Sequence, residues 1–248
     1  MRYFLIIILI IFFSCKLNNE LVPIDDVRVK DILHKMTLEE KIGQMAQINL
    51  TVIAKGPSKW RSFYPLEIDP KRTKKAIVDF KVGSIINTIN GKALTPKNWH
   101  KSISEIQKYS VDSTRSRIPI IYGIDGIHGS NYAVGATMFP HQINLAASWN
   151  KENAYNMAYV CAYETRALGI PWNFSPILDL GIDPRFPRQF ETFGEDPLLV
   201  ERLGKAMLRG FQGDEKEISS HKVAACLKHF IGYQSVISGK DRTPAYIP

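Results

Sequence analysis

The chain has 248 residues, 45% of them hydrophobic and 23% charged, with a formal net charge of +8. That is enough apolar material for one large domain or two small ones, and it excludes a chain disordered over most of its length. The positive charge is spread in pairs and short clusters such as Lys71-Arg72-Thr73-Lys74-Lys75, which reads as a solvated surface and not as a nucleic-acid-binding face.

Residues 1–15 differ from the rest. Arg2 precedes an unbroken apolar run from Tyr3 to Phe13. The run is shorter than the roughly 20 residues a membrane-spanning helix needs, and it suits the core of a signal peptide. Its end, Phe12-Phe13-Ser14-Cys15, resembles a bacterial lipoprotein cleavage box, with Phe12 where leucine usually stands. The expectation is a signal segment over 1–15, lipidation at Cys15 and a polar tether over 16–28. The protein would then sit at the bacterial cell envelope, periplasmic or on the outer membrane, and touch a membrane only through its lipid. A plain signal peptide with an incidental cysteine is the alternative. Cys161 and Cys226 lie far apart in apolar stretches, which predicts buried free thiols and no disulfide framework.

The folded domain is expected over 29–248. Thr37-Leu-Glu-Glu40 has the spacing of a capping box and predicts a helix start, with Ile42 and Met45 following on one face. Residues 83–87 read as a strand and 98–112 as a helix. Residues 119–125 read as a buried strand. Residues 150–168 form a helical pattern with Ala154, Met157, Ala158, Cys161 and Ala162 on its apolar side, ended by Gly169. A strand begins at Ile170. Asp196-Pro197 starts a helix whose inner face carries Leu199, Leu203, Ala206 and Phe211 and which Gly213 ends. Residues 223–229 are a further strand.

Strands alternating with helices predict an α/β domain with a parallel sheet of about five strands. Polar residues gather just after those strands, on the rim where both (β/α)8 barrels and open doubly wound sheets place their ligands. Position alone does not separate the two folds. No Gly-x-Gly-x-x-Gly or Gly-x4-Gly-Lys-Ser/Thr phosphate loop occurs, and His128 and His141 do not make a His-Glu-x-x-His pattern, so neither a nucleotide cofactor nor a metal is expected.

Four blocks carry candidate chemistry: Gly123-Ile-Asp125-Gly126-Ile-His128-Gly129; Asp183-Pro-Arg185-Phe-Pro-Arg188 running into Glu191-Thr-Phe-Gly194-Glu195-Asp196-Pro197; Lys228-His229-Phe230-Ile-Gly232-Tyr233; and Ser238-Gly-Lys-Asp241-Arg242-Thr-Pro-Ala-Tyr246. Singly each has a bland reading. Asp125 could cap a helix, the arginine loop could be an ion-pair network, and Glu191, Glu195 and Asp196 could be acids gathered at a helix start with arginines nearby.

Together, in this order and spacing, the blocks resemble the N-terminal barrel domain of glycoside hydrolase family 3, from about Met36 to Pro248. Lys41-Ile-Gly-Gln-Met45 and Phe139-Pro-His-Gln-Ile-Asn-Leu-Ala-Ala-Ser148-Trp149 extend the likeness. The resemblance implies a partial TIM-like barrel of roughly the first five βα units. It implies that Asp125, Arg188, Lys228 and His229 bind the hydroxyls of the sugar in the −1 subsite, and that Arg185 braces its loop through an ion pair. Such hydroxyls donate to carboxylates and accept from cations.

Pro187 stands where many members carry glycine before the second arginine. Asp125, where xyloside- and arabinoside-cleaving members often have Glu, favours a hexose. Ile231-Gly232-Tyr233 replaces the Pro-Gly-His of the N-acetylglucosaminidase branch. The implied partner is a β-glucoside or oligosaccharide, with no cofactor. The family retains configuration through an aspartate nucleophile in a Ser/Thr-Asp-Trp context and a separate acid/base. No aspartate of this chain precedes a tryptophan. The chain alone is therefore expected to be inactive, as a fragment of a β-glucosidase. The alternatives are a non-catalytic sugar-binding lipoprotein and a decayed gene.

Overall fold

The computed structural model describes residues 26–214 and 218–247. The signal segment and most of the tether, Cys15 included, lie outside the described residues. The chain divides into two units, residues 1–36 and 37–248. In the first, α1 (Val27–Lys35) starts inside the stretch expected as tether. Asp26 caps it by accepting from the Arg28 amide at 2.8 Å, and an Asp31–Lys35 pair one turn apart supports it.

The second unit begins with α2 (Leu38–Met45). The capping box is formed: Glu40 N donates to Thr37 Oγ1 (3.3 Å), and Thr37 N donates back to the Glu40 carboxylate (2.9 Å). The expected apolar face is not the inner one. Ile42 and Met45 are exposed, and Glu40 and Gly43 are the buried positions. The reason is contact distance. A Cβ on Gly43 would lie 2.5 Å from the Phe80 carbonyl oxygen, so the helix meets its neighbour backbone to backbone there.

Among the described residues five strands follow: β1 (Gln47–Asn49), β2 (Ser84–Ile86), β3 (Ile121–Ile124), β4 (Trp172–Asn173) and β5 (Ala224–Ala225). All neighbouring pairs are parallel, and the order is β1-β2-β3-β4-β5. Sequential order without reversal is the winding order of a (β/α)8 barrel over its first five strands, and it lacks the switch point of a doubly wound sheet. The strands are shorter than the apolar runs that announced them. Pairing continues beyond the regular ladder through single bonds: Cys226 N donates to the Ser175 carbonyl (3.1 Å), and Leu178 N to that of Lys228 (2.7 Å).

The connections are α3 (Pro70–Thr73) with a π turn over Lys74–Asp79, α4 (Pro96–Ser113), α5 (Gln142–Ala146) with α6 (Lys151–Ala167), and α7 (Pro197–Gln212). Asp196 caps α7 through the Leu198 amide (2.8 Å), and Gly213 ends it at φ +86°, a conformation that costs glycine little. Two apolar clusters result among the described residues. One joins β1–β3 to α4 around Leu50, Ile85, Trp99, Ile106, Tyr122 and Ile124. The other joins α6 to α7 around Met157, Cys161, Leu203, Met207 and Phe211. The predicted apolar side of α6 is buried throughout. On α7, Val200 and Met207 are buried, and Leu199 is only partly so. Cys161 is a buried free thiol, which burial pushes up to about 12; Cys226 is free but only half-buried.

Candidate active site

Three strand ends supply the polar rim. Asp125 directly follows β3. The turn behind it is held by Asn173 of β4, which is fully buried: its Oδ1 accepts from Gly126 N (2.7 Å), and its Nδ2 donates to Gly126 O (3.0 Å). The amide thus extends the β3–β4 ladder by a side chain. The approach is so close that a Cβ on Gly126 would sit 2.9 Å from Asn173 Oδ1. Gln142 does the same further on, bonding both N and O of Ile177 at 3.0 and 2.8 Å.

Lys228 and His229 lie beyond β5, where Lys228 bridges to Ile177. The peptide bonds Lys228–His229 and Phe230–Ile231 are cis. Lys228 Nζ reaches Asp125 Oδ1 at 2.6 Å, across 103 residues of sequence. His229 Nδ1 lies 2.6 Å from Asp179 Oδ2, and that carboxylate is almost fully buried. A carboxylate only accepts, so Nδ1 carries the proton, and Nε2 is the nitrogen left for a ligand.

Arg188 stands in the loop after β4, just before a 3-10 turn over Gln189–Glu191. Its Nε and Nη2 donate to the two carboxylate oxygens of Glu191 (2.9 and 2.5 Å), and its Nη1 donates to the Tyr233 hydroxyl (2.8 Å). The Glu191 bond is the main reason its guanidinium is held above the ordinary arginine value. Glu191 lies in that short turn and is a buried partner of Arg188. Arg185 pairs with Asp183 at 2.7 Å, the bracing role expected of it.

Two further groups complete the surroundings. Burial, with the Asp125 charge adding, pushes the Tyr132 phenol up to about 12, so it stays a neutral donor. His141 packs against His128, with ring centroids 4.2 Å apart. Burial and its neighbour's charge lower its proton affinity, against the pull of Glu191. Among the described residues, no group of three or more His, Cys, Asp or Glu could hold a metal. A pocket of about 390 Å³ opens beside Ile121, Trp172 and Ala224, at the opposite ends of the strands from this rim.

The four predicted sugar-binding residues thus fall into two contact groups, Asp125 with Lys228 and Arg188 with His229, the latter two joined through Tyr233. The Tyr233 and His229 rings lie 4.3 Å apart between centroids, tilted by 44°. Sequence reasoning missed Asp179 and the specific roles of Glu191 and Tyr233. Asp179 had a signal: an acid inside the apolar run Ile177-Leu-Asp179-Leu180 just past a strand is expensive unless paired.

What the rim can do follows from its spare bonding capacity. Lys228 has three donors and uses one on Asp125; Asp125 keeps its second oxygen. Arg188 keeps one N–H on each terminal nitrogen. This is a set of fixed charges with acceptors and donors left over, suited to a small polyhydroxylated ligand.

Residues 37–248 match the family described as glycosyl hydrolase family 3 N terminal domain. The chain is 36% identical over 236 residues to a lysosomal β-glucosidase of Dictyostelium discoideum, covering 90% of this chain and 28% of that protein. It is 32% identical to a periplasmic β-glucosidase of Salmonella typhimurium, covering 90% and 26%. The solved structure of a β-glucosidase from Listeria innocua in complex with glucose superposes with a TM-score of 0.65 at 32% identity, covering 86% of this chain and 28% of that one. The chain thus spans less than a third of the length of each of these relatives.

Proposed function

Because the chain belongs to glycosyl hydrolase family 3, we propose that its rim is the −1 subsite of a retaining β-glucosidase, which removes terminal non-reducing β-D-glucosyl residues from oligosaccharides or β-glucosides. Asp125 accepts from hydroxyls of the glucosyl ring. Lys228, Arg188 and His229 hold the neighbouring hydroxyls. The observation that carries this reading is the Asp125–Lys228 pair, which the fold assembles from the ends of β3 and β5 with bonding capacity to spare.

This reading gives the chain the part of holding the sugar: no aspartate here precedes a tryptophan, the context in which the resemblance places the attacking aspartate. The same observation leaves a non-catalytic sugar-binding protein as the second reading. Calorimetry with glucose tests the subsite. Binding is expected, and Asp125→Ala is expected to weaken it by about tenfold or more, the share of a charge-assisted hydrogen bond. Equal affinity in the variant would overturn the assignment.

The proposal extends to location: export to the cell envelope, with lipid at Cys15. Its support is the Ser14-Cys15 box and the periplasmic relative from Salmonella typhimurium. No helix among the described residues is long and apolar enough to cross a membrane. Labelled palmitate is expected to enter the protein and to be lost in Cys15→Ser. Labelling of the variant would sink the anchor.

A further inference from the structure

Arg188 has five N–H bonds, and its usefulness to a sugar depends on which are already committed. The Nε–Nη2 edge is spent on Glu191. That edge alone leaves the guanidinium able to rock about the line joining it to the carboxylate. The third point of attachment is the Tyr233 hydroxyl, which accepts from Nη1 at 2.8 Å. The same hydroxyl donates its proton to the carboxylate of Asp241. With its proton committed there, its lone pair is aimed at Arg188.

The Tyr233 ring has its own contacts. It packs against His229 with centroids 4.3 Å apart and the rings tilted by 44°, and it meets Phe186 edge to face at 5.5 Å. Phe186 is buried. The segment that carries Asp241 is tied down locally: Ser238 Oγ lies 2.7 Å from Thr243 Oγ1, and Arg185 Nη2 donates to Ile237 O at 3.3 Å. One side chain therefore touches two of the four sugar-binding candidates and joins them to a braced loop.

We propose that Tyr233 is a positioning residue of the subsite: its hydroxyl, locked by Asp241, sets the plane of Arg188. The proposal rests on the rim being a sugar subsite. It differs from a packing role in one respect. Packing needs the ring alone; positioning needs the hydroxyl.

Tyr233→Phe separates the two, because it keeps the ring and removes only the oxygen. Three measurements on the full chain decide it: glucose calorimetry, thermal unfolding, and nitrogen NMR of the Arg188 guanidinium, which reads its Nη rotation. In the variant, the glucose Kd is expected to rise about 5- to 10-fold, the share of one charge-assisted bond, while thermal unfolding stays a single cooperative transition. The Arg188 Nη groups are expected to rotate faster. Asp241→Asn, which weakens the lock without touching Tyr233, is expected to move both readouts the same way and by less.

Unchanged Nη rotation in Tyr233→Phe overturns the proposal whatever the sugar data say. So does an unchanged glucose Kd. A wild-type chain that takes up no glucose sinks the subsite reading instead, and the guanidinium rotation still decides whether Tyr233 positions Arg188.

Discussion

The α2–α4 corner and the rim after β3–β5 each hold partly buried charges, and they use them differently. At the corner, Glu40 is 4% exposed and every bond it makes is internal. One oxygen takes the Thr37 amide, and both take the Arg115 guanidinium, from just past the end of α4. Those bonds take three of the carboxylate's roughly four acceptor sites. At the rim, Lys228, Arg188 and His229 each commit part of their hydrogen-bonding capacity and keep part. Charge and burial alone do not distinguish a brace from a binding site. Uncommitted donors and acceptors do.

The sharpest way to break that contrast is Glu191→Ala. It strips the part-buried Arg188 of its main partner, so it should cost about 2–4 kcal/mol in stability, since breaking such a pair leaves a charge uncompensated. It should also lose glucose binding, because Arg188 no longer faces the rim. Urea unfolding and calorimetry on one sample read both. Retention of full affinity would mean that Arg188 is a brace like Arg115.

A smaller effect is expected from Glu40→Ala: about 1–2 kcal/mol for the lost cap and bonds, with glucose affinity untouched. The pH dependence sharpens this. The Arg115 bond, helped by the Thr37 amide, holds the Glu40 carboxyl below its ordinary value of 4.5. A folded-state value below the unfolded one contributes stability that is full above about pH 4.5 and is lost as pH falls through the folded value. The stability gap between wild type and Glu40→Gln should therefore be constant near neutrality and should narrow only below about pH 4.5. A gap that closes near pH 7 would contradict the assignment.

Much of this was legible in the sequence. The capping box at Thr37–Glu40, the inner side of α6 and the ends of α7 are written in residues three or four positions apart. The helix itself brings such residues together, so their spacing is their geometry. The same local logic failed at Ile42 and Met45. Which side of α2 is buried depends on Gly43 meeting the backbone at Phe80, and no periodicity within eight residues records that.

The sequence by itself determined the alternation of strands and helices and the types of residue that follow each strand. Only the tertiary structure decided who pairs with whom. Asp125 and Lys228 are 103 residues apart, His229 and Asp179 are 50 apart, and Arg188 and Tyr233 are 45 apart. Their meeting depends on the parallel register that sets β3 beside β4 and β4 beside β5. A hydrogen bond needs its two heavy atoms within about 3 Å, a condition that strand register meets and that spacing along the chain does not encode.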